Sequence, residues 1–425
     1  MNRNLWLLAI CQGLFLTNNV TFIAINGLVG LSLAPLGWMA TLPVMGYVVG
    51  GALSTPLVAR TQTRFGRKGS FQIGLAVAFA SALLCAYAAI SRNFWLLCAA
   101  TVVAGYYNAN AGLYRFAAAE LAAPSWREKA VSLVMAGGLL GAVLGPNLAA
   151  RTRTLLDVPF AGAYFALAVV ALVSMAVLSF IAFPPTPARK AGASGRPLGE
   201  IMRQPIFIVA AATGALSYGV MNLLMAATPI AMQQCGLPFG DAALVLEWHV
   251  IGMFAPGFFT GHLIKRLGAR RAGRERGPAQ RGSDPEAPHQ VRPADDTTED
   301  PHRGALVVMG IGIVLYAGCI AVALSGLELR QFLFALLMLG VGWNFLFTGS
   351  TTLSLLAYTP EEKDRAQGAL NFFVFATLAL SSFASGVLVT TQGWRLLNLG
   401  SMLPVLLIGA GLLWLALQRR ALHNA

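Results

Sequence analysis

Glu247 and His249 are the side chains of this sequence best suited to take up and release protons within an apolar stretch. A charge near the centre of a bilayer costs at least about 2.5–3.5 kcal/mol, so an ionisable residue there requires a partner or a function. Residues two apart on a helix point about 200° apart, so the two are not expected to bond to each other. The pattern predicts proton coupling at Glu247, with His249 as a second candidate. A structural hydrogen bond to a neighbouring helix is the alternative.

Polar and aromatic side chains within other apolar stretches predict a cavity for a small organic molecule. The candidates are Gln12, Asn18, Asn19, Tyr107, Asn108, Asn222, Trp343 and Asn344. Amides bind a solute by hydrogen bonds, and aromatic rings stack on a flat one. The set favours a neutral or weakly charged, partly aromatic substrate, because a dianion would require several inward-facing Arg or Lys residues. Buried amides also join helices, at about 0.6 kcal/mol each, and this is the alternative for about half of them.

Arg115 is the one basic residue that falls within an apolar stretch. It could anchor an anionic substrate or a carboxylate of another helix. It could also extend its charged end to the membrane surface. The sequence favours the second interpretation, because Arg115 lies near the predicted end of its helix.

Apolar stretches long enough to cross a bilayer make up most of the chain around these residues. The 425 residues are 56% hydrophobic and 11% charged, with a mean hydropathy of +0.66, whereas a soluble domain carries about 25% charged residues. About 20 apolar residues cross a bilayer as a helix. We predict an all-α membrane protein that contacts the lipid bilayer through twelve spans, at about 5–30, 36–58, 70–91, 94–118, 130–150, 159–183, 205–231, 241–263, 304–325, 331–357, 367–390 and 396–418.

The distribution of Lys and Arg predicts the orientation of these spans. Of the 30 Lys and Arg residues, 24 fall in segments on the side of the termini, 5 on the opposite side and 1 within a span. Cytoplasmic loops carry the excess of positive charge. We therefore expect a multi-pass protein of the cell inner (cytoplasmic) membrane with both termini in the cytoplasm. The net charge of +13 is spread between apolar stretches, which argues against nucleic acid as a partner.

Patterns typical of catalysis or metal binding are absent from the sequence. The five cysteines have neither metal-ligand nor disulfide spacing. The sequence contains no HExxH, no His/Asp cluster and no Walker A motif. We expect no enzymatic activity, no metal, no cofactor and no direct use of ATP.

The second half of the sequence repeats the first. Residues 64–67 match residues 266–269 at an offset of 202, and Tyr-Asn at 107–108 falls on Trp-Asn at 343–344 at an offset of 236. The offset grows by 236 − 202 = 34 residues, about the length of the polar segment 269–303. This segment has too few apolar residues to offset the entropy of folding, so it is predicted to be a disordered cytoplasmic insertion.

The repeat predicts two halves of six spans each. Residues 1–183 form the N-terminal half, 184–203 a cytoplasmic linker and 204–425 the C-terminal half with its insertion. An aromatic–Asn pair at matching depth in each half is the arrangement expected for a cavity on the axis that relates the halves.

A basic turn with a glycine joins the second and third spans and recurs after the eighth. The turn matches the pattern Gly-x-x-x-Asp-Arg-x-Gly-Arg-Lys at Arg64, Gly66, Arg67 and Lys68, with Thr63 at the aspartate position. Six plus six spans, the linker and this turn resemble the major facilitator superfamily (MFS) of transporters over essentially the whole chain. The resemblance implies a cytoplasmic gate at those four residues and at their counterparts Arg266 and Gly268. Thr63 leaves the charge network of that gate without its aspartate.

Span 5 contains Gly137, Gly141 and Gly145, followed by Pro146. Glycines four residues apart form a flat stripe on which another helix can pack closely. In this superfamily such a row ending in Gly-Pro resembles a signature of proton-coupled antiporters, and ordinary helix packing is the alternative. The arginine that drug/proton antiporters usually carry before a glycine like Gly105 is absent, so the chain does not resemble a standard drug exporter.

The resemblance implies a secondary active transporter that moves a small organic solute by alternating access, with protons as the coupling ion. The alternative to export is uptake of a vitamin-like or aromatic metabolite, for example one like riboflavin. A non-transporting membrane sensor with the same fold is the alternative from another class. The chain is expected to act as a monomer.

Overall fold

The structure is a computed structural model that describes residues 3–123, 126–183, 195–268, 301–359 and 362–424. These residues form a 3₁₀ turn at Gly37–Met39 and fourteen α-helices: α1 (Arg3–Leu33), α2 (Leu42–Ile90), α3 (Phe94–Ala111), α4 (Tyr114–Leu121), α5 (Arg127–Thr152), α6 (Ala161–Ser179), α7 (Leu198–Met202), α8 (Pro205–Gln234), α9 (Phe239–Phe254), α10 (Gly257–Gly268), α11 (Pro301–Leu324), α12 (Leu329–Ser354), α13 (Lys363–Thr391) and α14 (Gly393–Asn424). Most of the predicted linker and of the predicted disordered insertion lies outside the described residues.

The predicted all-α membrane architecture is confirmed. Among the described residues, nine helices are long and apolar enough to cross a membrane, or ten if α9 and α10, which meet at 41°, form one span. The region Gly37–Ile90 counts once although it contains two predicted spans. Helices cover all twelve predicted spans, but the exact number of crossings stays a prediction.

The chain reverses direction within α2 at Gly66. This glycine has φ 69° and ψ 179°, a conformation that residues with a side chain rarely adopt. The hydroxyls of Thr61 and Ser70 lie 2.8 Å apart, whereas a continuous helix would separate these residues by about 13 Å along its axis. α2 therefore consists of two arms, 42–65 and 67–90, joined by the basic turn.

Side chains of the basic turn bind other parts of the N-terminal half. Arg67 Nε donates a hydrogen bond to Glu120 Oε2 of α4 at 3.0 Å. Lys68 Nζ donates to the carbonyl of Ser179 at 2.6 Å, at the C-terminal end of α6, where the helix dipole favours a cation. Thr63 donates to a backbone carbonyl within the turn. Glu120 thus supplies the carboxylate that the turn itself lacks.

Contacts between α2 and α3 recur between α9 and α12, as expected for two pseudo-symmetric halves. A Cβ on Gly105 of α3 would meet the backbone of α2, and one on Gly340 of α12 would meet that of α9. The atoms met belong to Tyr47, Gly50 and Gly51 in α2 and to His249, Gly252 and Met253 in α9. Each α9 residue follows its α2 counterpart by 202 positions, the same offset that relates the basic turns.

Three glycines of α5 allow it to pack closely on α1. Gly137, Gly141 and Gly145 face α1, and a Cβ on Gly141 would lie 2.6 Å from the backbone nitrogen of Thr17. Close approach of two backbones increases van der Waals contact, which drives helix association in a membrane. Thr21 Oγ1 adds a hydrogen bond to the carbonyl of Gly145 at 2.8 Å.

Arg196, near the start of the described part of the linker, binds the residues that precede α13. Its Nε and Nη2 donate to the two carboxylate oxygens of Glu362 at 2.8 and 2.7 Å. Glu362 also accepts the backbone N–H of Thr359 at 3.0 Å. Hydrogen bonds to the ionised form, that from Arg196 first, lower the pKa of Glu362 to about 2. Since the Glu362 side chain is 2% exposed, this pair fixes the end of the linker to the C-terminal half.

Glu362→Gln should lower the melting temperature (Tm) of the detergent-purified protein, because Arg196 and Thr359 lose an ionised acceptor. The folded-state pKa of Glu362, about 2, lies below its ordinary value of 4.5. Its contribution to stability is therefore present above pH 4.5 and is lost as the pH falls toward 2. Tm is measured from pH 7 downward. Glu328→Gln is the matched control, because its pair with Arg330 is exposed, and equal Tm values for both variants would contradict the prediction.

Gly141→Ala should destabilise the protein, because the added methyl group meets backbone atoms of α1 that cannot move independently. Overpacking of this kind typically costs about 1–3 kcal/mol. Gly310→Ala is the matched control, since nothing lies within 4 Å of a Cβ at Gly310 in α11. A thermal shift assay should show a lower Tm for Gly141→Ala only. A Tm at or above that of the unaltered protein would show that α1 and α5 can separate without cost.

Candidate functional site

The carboxylate of Glu247 connects α9 to α5 of the other half. Asn147 Nδ2 donates to Glu247 Oε2 at 2.8 Å and to the carbonyl of Val143 at 2.8 Å. Asn147 follows Pro146, which has no N–H and interrupts the hydrogen-bonding pattern of α5. Glu247 and Asn147 are both half-buried. The carboxyl that the sequence singles out for proton coupling therefore lies at a contact between the two halves.

His249 faces a neighbouring helix of its own half. Its Nδ1 lies 2.7 Å from the carbonyl oxygen of Leu336 in α12, and because a carbonyl only accepts, Nδ1 carries the hydrogen. The ring is fully buried, and Nε2 has no partner among the described residues. This geometry joins α9 to α12, and a role of His249 in proton coupling stays a prediction.

Tyr218, Trp343 and Phe347 form an aromatic wall in the C-terminal half. Trp343 stacks on Phe347 with ring centroids 5.0 Å apart and an interplanar angle of 11°. Tyr218 of α8 lies edge-on to these rings, at 5.1 and 5.5 Å. The Nε1 of Trp343 is buried and has no partner in the described part of the chain. Trp343 is only 6% exposed, so the half-buried rings of Tyr218 and Phe347 are the more accessible part of this wall.

Asn19 of α1 and Asn108 of α3 form a polar group in the N-terminal half. Asn19 Nδ2 lies 3.2 Å from Tyr47 Oη and 3.4 Å from Asn108 Oδ1, and both amides are half-buried. Gln12 and Asn18 are more deeply buried in α1, each 5% exposed. The structure thus brings two of the four predicted amides of this half together.

Asn222 and Tyr107 each connect helices within their own half. Asn222 Nδ2 donates to the hydroxyls of Ser381 and Ser382 in α13 at 2.9 and 2.8 Å. The ring of Tyr107 packs edge-on against Phe15, 5.5 Å away, in the core of the N-terminal half. In this conformation both side chains are engaged by the protein, and their assignment to a substrate cavity stays a prediction.

Asn344 of α12 binds the break between α9 and α10. Its Nδ2 donates to the carbonyl of Met253 and its Oδ1 accepts from Thr260 Oγ1, both at 2.7 Å. The break at Ala255–Pro256 deprives nearby carbonyls of their regular helical partners. Asn344 thus supplies a hydrogen-bond partner to the backbone at this interruption. It joins α12 to α9 and α10 in addition to any contact with substrate.

The predicted gate residues lie at the end of the molecule that holds the termini. Arg64 is exposed and lies 5.3 Å from the ring of Phe65. In the second half Arg266 is exposed, whereas Gly268 is buried against Gly304 of α11. Their role as a gate stays a prediction.

At the opposite end, the distal end, where α1 leads into α2, the two halves are in direct contact. Thr41 Oγ1 donates to the carbonyl of Ser382 at 2.6 Å and accepts the N–H of Gly386 at 2.9 Å. Trp38 and Phe383 meet edge-on with centroids 5.9 Å apart. These contacts join the loop before α2 to α13.

A second contact at the distal end joins the loop after α5 to the start of α9. Phe160 and Phe239 meet edge-on at 5.0 Å. The guanidinium carbon of Arg153 lies 5.3 Å from the first ring centroid and 5.6 Å from the second, distances at which a cation is attracted to an aromatic ring. Both contacts join the two halves at the distal end.

Arg115 is the second residue of α4 and is exposed. Its guanidinium carbon lies 4.9 Å from the centroid of the adjacent Phe116 ring. The position at the membrane surface that the sequence favours for Arg115 stays a prediction. Sequence reasoning missed Asn147, because the sequence does not show which side of α5 faces the other half.

A metal-binding cluster and a cavity elsewhere in the described chain are the other features that could form a site. No group of three or more His, Cys, Asp or Glu among the described residues could hold a metal ion. A cavity of about 460 Å³ lies at the terminal end of α1, α4 and α5, lined mainly by apolar residues with Trp6, Trp126 and Lys129. It is lined by none of the residues that the sequence predicts for the substrate cavity.

Comparison with known proteins relates the whole chain to transporters. The family model described as Major Facilitator Superfamily matches residues 5–274. The riboflavin transporter RfnT of Brucella anthropi is 36% identical over 400 residues, which cover 93% of this chain and 91% of that protein. The uncharacterised MFS-type transporter YdeG of Bacillus subtilis is 26% identical over 402 residues, 91% of this chain and 86% of that one.

Solved structures share the same fold at low sequence identity. A bacterial homologue of the human lysosomal transporter Spinster superposes with a TM-score of 0.69 at 13% identity, covering 96% of this chain and 95% of the other. The POT family transporter PepTSo gives a TM-score of 0.67 at 10% identity, with 97% and 98% covered. The family model over residues 5–274 and the 36% identical relative show that the chain is a membrane permease of the Major Facilitator Superfamily.

Proposed function

We propose that this permease takes up a flat aromatic metabolite of the riboflavin class, with protons as the coupling ion. The observation that carries the proposal is the aromatic wall, whose two stacked rings and edge-on tyrosine suit a planar conjugated ligand. The 36% identity to a riboflavin transporter supports the same substrate class. The amides of Asn19 and Asn108 add hydrogen-bonding groups for a polar substituent.

Transport proceeds by alternating access, in which the halves rock about the central site. In this proposal the contacts of Thr41 with α13 and of Phe160 with Phe239 form the closed distal gate. The excess of Lys and Arg on the side of the termini supports a cytoplasmic location of that side in an inner-membrane protein. Substrate would therefore be released to the cytoplasm from this conformation, which suits uptake.

Proton coupling acts through the bond between Glu247 and Asn147 in this proposal. An ionised carboxylate accepts a stronger hydrogen bond than a neutral carboxyl group. Protonation of Glu247 would weaken the contact between α9 and α5 and favour separation of the halves on this side. Once the two halves have come together again on this side, loss of the proton would restore the hydrogen bond between Glu247 and Asn147. The site would then open to the cytoplasmic side.

Substitution of Trp343 tests the substrate class. Trp343→Ala should weaken riboflavin binding by about 5- to 150-fold, since stacking of a ring on an aromatic side chain is worth about 1–3 kcal/mol. Flavin fluorescence titrated with purified protein gives the dissociation constant (Kd). Trp343→Phe should retain most of the affinity. Trp414→Ala, an exposed tryptophan of α14, is the matched control, and riboflavin that binds neither the unaltered protein nor Trp343→Phe would refute this substrate class.

Substitution of Glu247 tests proton coupling separately. Glu247→Gln keeps the side-chain size and an acceptor for Asn147 but cannot ionise. In proteoliposomes with an imposed pH gradient, it should abolish uphill accumulation of riboflavin and spare exchange of labelled for unlabelled substrate. Asp241→Asn, in the first turn of the same helix, is the matched control and should accumulate normally. Accumulation by Glu247→Gln at the rate of the unaltered protein would rule out this coupling site.

The sensor alternative depends on the predicted insertion at 269–303, outside the described residues. Deletion of this segment should leave the riboflavin flux of a transporter intact. A sensor would instead lose its signalling output with no flux to measure.

A further inference from the structure

We propose that Asn19 and Asn108 together recognise an imide or lactam edge of the substrate, a ring edge on which a carbonyl oxygen and an N–H group are neighbours. This assignment rests on the proposed riboflavin-class substrate, and it names the part of that ring system that the N-terminal half binds. Its basis is which hydrogen-bonding atoms of the two amides are occupied within the protein and which are not.

Both hydrogens of the Asn19 amide nitrogen are used within the N-terminal half. Nδ2 donates to Tyr47 Oη at 3.2 Å and to Asn108 Oδ1 at 3.4 Å. Because an amide nitrogen carries two hydrogens, Asn19 has only its oxygen left to offer. The side chain of Tyr47 is 2% exposed, and its ring lies 4.9 Å from that of Phe22. The acceptor that holds Asn19 is therefore itself fixed in the core.

The other two polar atoms of the amide pair have no partner in the described part of the chain. Asn19 Oδ1 accepts no hydrogen bond there, and Asn108 Nδ2 donates none. Neither is among the fully buried polar atoms that lack a partner, and both side chains are half-buried. The pair therefore presents one acceptor and one donor to a molecule that occupies the space beside it.

Asn19 lies on the face of α1 that meets the C-terminal half. Residues four apart on a helix share a face, so Asn19, Ile23 and Gly27 follow one stripe. At Gly27 this stripe packs on α8, where an added Cβ would lie 3.5 Å from Ile230 Cδ1 and 3.6 Å from the carbonyl oxygen of Ala226. Asn19 lies about 12 Å from Gly27 along the axis, toward the end of the molecule that holds the termini, and there its side chain is half-buried. The amide pair thus borders the space between the halves.

An acceptor and a donor on two bonded amides are complementary to a ligand edge that carries both an N–H group and a carbonyl oxygen. A flavin has this edge in its pyrimidine-dione ring, where an imide N–H lies between two carbonyl groups. The imide N–H would donate to Asn19 Oδ1, and a neighbouring carbonyl oxygen would accept from Asn108 Nδ2. A methyl group on the imide nitrogen removes the donor and leaves the ring system and both carbonyl groups in place.

The test compares riboflavin with 3-methylriboflavin, in which a methyl group replaces the imide hydrogen. Kd values for both are measured by flavin fluorescence with the full-length purified protein. The unaltered protein should bind riboflavin about 5- to 150-fold more tightly, because the methylated ring leaves Asn19 Oδ1 without a donor. In Asn19→Ala this preference should disappear, since the acceptor is then missing for both flavins.

Two further variants separate recognition from folding. Tyr47→Phe keeps both amides but removes the acceptor that positions Asn19, so the ratio of the two Kd values should become intermediate; an unchanged ratio would exclude this positioning role. Asn398→Ala is the matched control, because this amide of α14 is fully buried and bonds to the carbonyl of Trp394 in its own helix. Its loss should leave the ratio unchanged, since a general loss of folded protein affects both complexes alike.

Each outcome decides a separate question. A preference for riboflavin that disappears in Asn19→Ala and persists in Asn398→Ala supports the proposal. Equal affinity of the unaltered protein for the two flavins, or a preference that survives in Asn19→Ala, overturns it and leaves the proposed function in place. Failure of the unaltered protein to bind either flavin overturns the proposed function, and this assignment falls with it.

Discussion

The interior of a bilayer contains no water to satisfy the backbone of an interrupted helix, and this constraint determines where the polar side chains of the protein lie. Pro146 interrupts α5, and the next residue, Asn147, donates to a carbonyl of the same helix as well as to Glu247. The break between α9 and α10 is satisfied by Asn344 from α12. Asn344 therefore supplies a hydrogen bond that the helix break removes, whereas Asn147 bonds the carbonyl of Val143 and also reaches Glu247 across the contact between the halves.

Close packing of helices at glycine residues is the second requirement, and it determines where the candidate site residues lie. The glycines of α5 hold this helix against α1, so Asn147 is presented to α9 of the other half. In the same way Gly105 and Gly340 hold α3 and α12 against α2 and α9. These tight pairs lie within the halves and the contacts of Thr41 and Phe160 lie between them. Close packing within each half, with polar and aromatic contacts between the halves, suits a molecule that has to rock between two conformations.

Several side chains contribute in ways that depend on the whole fold. Glu120 completes the basic turn from α4, where the aspartate of the turn is replaced by Thr63. Glu362 fixes the linker through Arg196, from a position more than 160 residues further along the chain. Asn108 and Asn344 are equivalent in the repeat, yet the first meets Asn19 of α1 and the second meets the break of α9. The internal repeat predicts equivalent positions, and local interruptions of the helices decide the partners.

The sequence by itself determined the class of protein, because apolar length and the period of the repeat are properties of the chain that no packing can change. It also pointed to Glu247, since a carboxyl in an apolar stretch is conspicuous wherever the helix lies. Only the tertiary structure decided which way each side chain faces: Asn147 as the partner of Glu247, His249 turned to α12 and Asn222 to α13. The physical reason is that α-helical periodicity fixes the relative angles of residues on one helix, whereas the rotation of that helix is set by its neighbours.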